Sequence, residues 1–210
     1  MQRKKDPIRI LAIPGSLRKK SYNKSLLIEA AELAPEGVSI SVFETLDEVP
    51  VFNEDVADVK SPSGVVELRR ALVQSDGLLI ATPEYNQAVP GVVKNMIDWL
   101  SIGGPDEGLE GKPVAVTGVT TGPWGTRLAQ TMLRQMLAST QAVLLPDPTL
   151  FLRNAESLFD GDGNLVDATT RQRVGELVSA LASWIQLLNP PTAVMASLNS
   201  DNSRQVLVPS

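Results

Sequence analysis

Gly77-Leu78-Leu79-Ile80-Ala81-Thr82-Pro83-Glu84-Tyr85-Asn86-Gln87-Ala88-Val89-Pro90-Gly91 passes from an unbroken apolar segment into a polar loop held by two prolines. Leu78 to Ala81 show no alternation, which is how a strand covered on both faces reads, and such strands belong to parallel sheets. From Val89 to Leu100 apolar residues return at helical spacing, with Pro90 suited to the start of a helix. The same strand–loop–helix unit recurs along the chain. Strands are predicted at Ile8–Ile13, Val38–Phe43, Gly77–Ala81, Val114–Thr117 and Ala142–Leu145. Helices are predicted at Asn23–Leu33, Gly64–Gln74, Val89–Leu100, Gly125–Ala138 and Ala168–Leu188. Repeats of this kind imply a doubly wound α/β fold: a five-stranded parallel sheet in the order 2-1-3-4-5, with helices on both faces. Residues 1–190 are expected to form this one domain, and the polar, aperiodic residues 191–210 a tail.

Among 210 residues there is no His and no Cys. That removes Cys nucleophiles, Ser–His–Asp triads, disulfides and the usual zinc sites, and no metal site is expected. Redox or transfer chemistry would need carboxylates, Lys, Tyr or a borrowed cofactor. The net charge of −5 argues against nucleic acid as a partner. No apolar run has the length of a membrane span or a signal peptide's core, so no membrane partner and a cytoplasmic location are expected. Charge is unevenly placed, with eight basic residues and one acid in 1–24, then nine acids and no base in 25–59. A basic patch on an acidic protein suits a small anionic ligand, although Arg3 to Lys5 read equally well as a solvated tail.

In the order 2-1-3-4-5, strands 1, 3 and 4 are adjacent, and ligands bind beyond their carboxyl ends. Three unusual loops follow those strands. The first, Pro14-Gly15-Ser16-Leu17-Arg18-Lys19-Lys20-Ser21-Tyr22-Asn23, offers small hydroxyl residues, an Arg and a helix N-terminus, which suits a phosphate. Ser21 or Asn23 can cap that helix. It has neither the Walker nor the Gly-x-Gly-x-x-Gly pattern. The second loop, Thr82 to Gly91, holds Glu84, Tyr85 and Asn86 between prolines, as in-plane recognition of a flat heteroaromatic ring requires. The third, Gly118-Val119-Thr120-Thr121-Gly122-Pro123-Trp124-Gly125-Thr126, carries a large aromatic. Trp124 reads either as a wall of a pocket or as a partly buried anchor or interface residue.

Gly15-Ser16-Leu17-Arg18-x-x-Ser21-x-Asn23, followed by Thr82-Pro83-Glu84-Tyr85-Asn86-x-x-x-Pro90-Gly91-x-x-Lys94-Asn95-x-Ile97-Asp98-Trp99-Leu100, resembles the NADPH-dependent FMN reductase family. The resemblance is compatible with the run from Ile8 to Leu188. It implies a flavodoxin-like fold, FMN as cofactor, and NADPH or NADH as co-substrate. Ser16, Leu17, Arg18, Ser21, Tyr22 and Asn23, with their amides, would hold the FMN phosphate. Pro83, Glu84, Tyr85 and Asn86 would border the isoalloxazine ring, and Thr120, Thr121 and Gly122 would close its other side.

The implied activity is hydride transfer from NAD(P)H through FMN to a small-molecule acceptor: a quinone, azo compound, metal oxyanion or free flavin. No catalytic side chain is expected, because water can protonate the products. An electron carrier without NAD(P)H turnover and a non-flavin scaffold on the same fold are the alternatives. A homodimer or homotetramer is also implied, with Met96 and Trp99 as interface candidates. Three further readings are structural. Trp99, Ile97 and Leu100 continue an apolar helix face and read as core or dimer interface, Lys94 and Asp98 can pair, and Asp160-Gly161-Asp162-Gly163-Asn164 is a polar turn rather than a calcium loop.

Overall fold

The structure, a computed structural model, describes residues 7–59, 61–102 and 108–189. The expected tail at 191–210 lies outside them. The main strands are β1 (Ile8–Pro14), β2 (Val38–Val42), β3 (Gly77–Ala81), β4 (Pro113–Val119) and β5 (Val143–Leu144), all parallel and ordered β2-β1-β3-β4-β5. The helices that matter to the site are α1 (Tyr22–Glu32), α4 (Gly91–Ser101), α5 (Arg127–Ser139) and α7 (Ala168–Leu188). Between α1 and α4 lie the short α2 (Glu54–Val59) and then α3 (Ser63–Val73); α6 (Ala155–Leu158) precedes α7. The predicted elements stand within a few residues of these bounds, whereas α2 and α6 carry too few periodic residues to be read from sequence.

Period-two geometry sorts the strand residues onto two covered faces. Leu11, Ile13, Leu78, Ile80, Val114 and Val116 pack with residues of α3, α4 and α5. Ile10, Ala12, Leu79, Ala81 and Ala115 pack on the other face with α1 and α7. Burying one such aliphatic side chain contributes ~1.5–3 kcal/mol. The exposed Lys94–Asp98 pair contributes only ~0.3–0.5 kcal/mol, although its nitrogen and oxygen atoms lie 2.5–2.7 Å apart. The sheet therefore rests on apolar burial. Met96 and Trp99 belong to the first face and are 0% exposed. That corrects their use as interface candidates and bears out the core reading of Trp99: the chain's own core encloses both, and the Trp99 Nε1–H donates to the Pro50 carbonyl at 2.8 Å.

The outer edge departs from five simple strands. Pro113 and Val114 pair with β5, while Thr117, Gly118 and Val119 pair with a further strand, β6 (Leu150–Leu152). Pro146 and Pro148 interrupt what would be one longer strand, since neither has an N–H for the ladder. Side chains of α5 serve this interrupted edge: Arg134 donates to the Leu145 carbonyl at 3.1 Å and Gln130 to that of Leu150 at 2.8 Å.

The Asp160 turn is polar, as expected. The Asp160 carboxylate accepts from Asp162 N, Asn164 N and Asn164 Nδ2 at 2.8–3.0 Å, and those bonds hold its pKa below the usual carboxylate range. Asp167 caps α7, its carboxylate accepting from Thr170 N at 2.7 Å, and hydrogen bonding from the Thr170 side chain, then from its N–H, lowers the Asp167 pKa. A depressed folded-state pKa gives stability that is present above the ordinary carboxylate value and lost as pH falls through the folded one. Asp167→Ala is therefore expected to lower the melting temperature at neutral pH. The gap from wild type should close on acidification, as thermal melts across pH would show.

Candidate active site

The carboxyl ends of β1, β3 and β4 lie side by side, so the three loops predicted from sequence share one edge of the sheet. They are also tied to one another. Gly15 N donates to the Ala81 carbonyl at 2.8 Å, and Thr82 N to that of Thr117 at 2.9 Å. The Ser16 and Tyr85 hydroxyls lie 3.2 Å apart, linking the first loop to the second. Asn23, 3% exposed, reaches the third: Nδ2 donates to Val119 O and Oδ1 accepts from Val119 N, both at 3.0 Å. Glu84 Oε2 accepts from Leu128 N and Ala129 N at 2.9 and 3.0 Å, capping α5 with a negative charge where a helix favours one.

In the first loop Ser21 is the N-cap of α1, its Oγ accepting from Lys24 N at 3.2 Å. The N–H groups of Tyr22 and Asn23, the first two helical residues, have no carbonyl behind them within the helix and point past its N-terminus. Ser16 is 9% exposed, while Leu17, Arg18, Lys19 and Lys20 are exposed. Among the described residues none of those three cations is in an ion pair, whereas Lys24 is engaged with Glu44 at 2.8 Å. That bond to Lys24 lowers the Glu44 pKa. A cleft of about 140 Å³ opens beside the loop, lined by Ser16, Arg18, Lys24, Glu44 and Asp47 among others. A larger hollow of about 420 Å³ lies at the far ends of α4 and α5, away from all three loops. Volume does not locate the site; the convergence of donors does.

The second loop is a two-residue turn. Tyr85 and Ala88 exchange backbone bonds of 3.0 and 3.1 Å, and the residues between them, Asn86 (φ 52°) and Gln87 (φ 64°), are left-handed. Asn tolerates that region, but Gln seldom adopts it, so the loop holds backbone strain of the sort found at ligand sites. In the third loop Thr120 N donates to Leu152 O and Asn154 N to Gly122 O, both at 3.2 Å. Thr120 Oγ1 accepts from Gly122 N at 3.3 Å. Gly125 (φ 72°) passes so close to β6 that a Cβ would lie 3.0 Å from the Phe151 carbonyl oxygen.

All thirteen residues singled out from sequence lie on this edge, but they divide by direction. Leu17, Arg18, Tyr85, Asn86 and Thr121 are exposed, Thr120 and Gly122 half-buried. Ser21, Asn23 and Glu84 use their side chains inside the protein, and the Tyr22 ring rests on Phe159 with centroids 5.2 Å apart. Asn23 and Glu84 thus join the loops, and what they offer a ligand is main chain. Nothing local in the sequence signals this, because the partner of Asn23 is 96 residues away.

A family model for NADPH-dependent FMN reductases matches residues 8–157, which include all three loops. The chain belongs to the NADPH-dependent FMN reductase family. As a member it is an FMN-linked, NAD(P)H-dependent oxidoreductase, which sets it with enzymes rather than with electron carriers or scaffolds. Similar to this FMN reductase, at 39% identity over 183 residues, is the NAD(P)H-dependent FMN reductase PA1204 of Pseudomonas aeruginosa; the alignment spans 87% of this chain and 98% of that protein. A 2-hydroxy-1,4-benzoquinone reductase of a Burkholderia species is 35% identical, with 85% and 97% covered. Among solved structures, FerB of Paracoccus denitrificans, a flavoenzyme NAD(P)H:(acceptor) oxidoreductase, superposes with a TM-score of 0.77 at 30% identity, covering 85% of this chain and 97% of that one. Among the described residues no helix of the FMN reductase is long and apolar enough to cross a membrane.

Proposed function

We propose that this FMN reductase passes two electrons from NAD(P)H to quinones, with the flavin seated across the three tied loops. The net reaction is NAD(P)H + H⁺ + quinone giving NAD(P)⁺ + hydroquinone. Bound FMN would supply the redox chemistry, accepting a hydride and releasing two electrons.

The observation that carries the reading is the donor set at the start of α1. A dianionic phosphate needs several donors, positive charge and little bulk. The N–H groups of Tyr22 and Asn23 at the helix start, the Ser16 hydroxyl and Arg18, in no ion pair among the described residues, meet that need. The Glu44 carboxylate nearby is already engaged with Lys24. The rigid turn of Tyr85 to Ala88 would border the flavin ring, and Thr120 to Gly122 its other side. No side chain is assigned a proton, because the exposed edge lets water supply it. The quinone class is supported by the quinone reductases among the relatives, of which one, from Escherichia coli, is 31% identical over 183 residues. A cytoplasmic setting accords with the absence of cysteine, and a homo-oligomer accords with the family resemblance.

Arg18→Ala tests the phosphate site. Fluorescence titration is expected to show FMN bound at least tenfold more weakly, the equivalent of ~1.4 kcal/mol. NADPH oxidation with a quinone should return when free FMN is supplied in excess. Unchanged FMN affinity would take Arg18 out of the site, and no NADPH oxidation by FMN-loaded wild type with any quinone would refute the function.

A further inference from the structure

Four Phe, three Trp and two Tyr make up the aromatic residues of this chain. Seven of these rings are buried or half-buried; the two exposed ones are Tyr85, at 45%, and Trp124, at 79%. One exposed aromatic needs no explanation. Here both stand on adjoining loops of the candidate site, and neither has an aromatic partner. The bond from Leu128 N to Glu84 joins their loops directly, since Glu84 precedes Tyr85 and Leu128 lies four residues beyond Trp124. Trp124 is also carried on fixed backbone: Gly122 O accepts from Asn154 N, and Gly125 is held left-handed against β6. A rigid main chain that presents an unpacked indole at the mouth of a site is built to meet something flat.

We infer that Trp124 is a specificity-determining residue, a stacking platform that selects planar, electron-poor ring acceptors over small non-planar ones. The inference rests on the three-loop site proposed above. Physically, the electron-rich face of indole favours an electron-poor ring in offset contact, and the contact removes apolar surface of both partners from water. A compact anion such as ferricyanide gains nothing from such a face. Leu128 and Met132, 51% and 40% exposed, lie four residues apart on α5, just beyond the loop that carries Trp124. A contact between two copies is therefore the competing use of this surface.

The test uses FMN-loaded full-length protein and two acceptors, anthraquinone-2-sulfonate and ferricyanide. Without NAD(P)H, anthraquinone-2-sulfonate should quench tryptophan emission of the wild type, and Trp124→Phe should remove most of that change. In Trp124→Ala its dissociation constant, read from the flavin absorbance, should rise about fivefold. The ratio of kcat/KM for the quinone over ferricyanide should fall to a similar extent, and Trp124→Phe should restore most of it. An unchanged ratio and dissociation constant would overturn the inference. So would equal losses with both acceptors accompanied by a lower mass in light scattering, which would assign Trp124 to a contact between copies. A matching rise in the KM for NADPH would move it to the nicotinamide and overturn it likewise. Wild type that holds no FMN, judged by its visible spectrum, would instead defeat the site reading, and this inference with it.

Discussion

Asn23→Leu is expected to destabilise the protein by ~2–6 kcal/mol and to weaken FMN binding more than tenfold. The substitution keeps the approximate shape of the side chain but removes both bonds to Val119, which is 1% exposed. A buried N–H and a buried C=O then lose their partners together, each at ~1–3 kcal/mol. Against a total stability of ~5–15 kcal/mol the variant still folds, with a melting temperature lower by roughly 5–15 °C. Binding suffers because the start of α1 and the third loop are no longer held in register. Asn23→Asp separates the lost donor from the lost shape. The introduced carboxylate keeps the acceptor for Val119 N but sets an unprotonated oxygen against Val119 O. Burial without a donor raises its folded-state pKa, so the variant should gain stability relative to wild type as pH falls towards the ordinary carboxylate value. Thermal melts over pH, with flavin titration at neutral pH, check both. An Asn23→Leu protein as stable as wild type would show that the two bonds contribute nothing.

Gly118→Ala is the second large effect. A Cβ at Gly118 would lie 2.0 Å from the Thr82 carbonyl oxygen and 2.6 Å from Thr126 Oγ1. Neither neighbour is free to move. Thr82 is 0% exposed, and its N–H is bonded to the Thr117 carbonyl. Thr126 is equally buried, and its hydroxyl accepts from Gln130 Nε2 at 2.8 Å. Overpacking of this kind costs ~1–3 kcal/mol or more, a fall of roughly 5–10 °C in melting temperature for a chain of this size. The functional loss should be larger than the stability loss implies. Relief of the clash parts β3 from β4 where the second and third loops begin, and moves the two sides of the candidate flavin site apart. Flavin titration beside a thermal melt separates the two effects. Retention of wild-type FMN affinity would show that the loops tolerate the shift.

Fold was legible because its signal is local. Leu78 to Ala81 and Ile10 to Ile13 read as doubly covered strands without reference to any other part of the chain, and both faces are indeed covered. The split outer edge was less so. Two prolines between short apolar segments do not say whether β5 and β6 both pair with β4, a question settled by Arg134 and Gln130 reaching across from α5. Loop identity was legible for the same reason as the strands. Gly15 to Asn23 and Thr82 to Gly91 carry unusual residues in fixed spacing, and the order 2-1-3-4-5 puts them on one edge.

Direction was not legible. Asn23 and Glu84 look like ligand groups when read along the chain, yet they spend their side chains on Val119 and on the first turn of α5. Trp124 reads along the chain as a pocket wall or as a partly buried anchor or interface residue, and only packing leaves it in water. By itself the sequence determined the α/β class, the edge that carries the three unusual loops, and a chemistry that must do without His or Cys. Tertiary structure decided which side chains hold the loops together and which face outward. The physical reason is range: strand and loop character follow from neighbours a few residues apart, whereas a polar side chain's direction is set by whichever buried N–H or carbonyl the fold brings within about 3 Å.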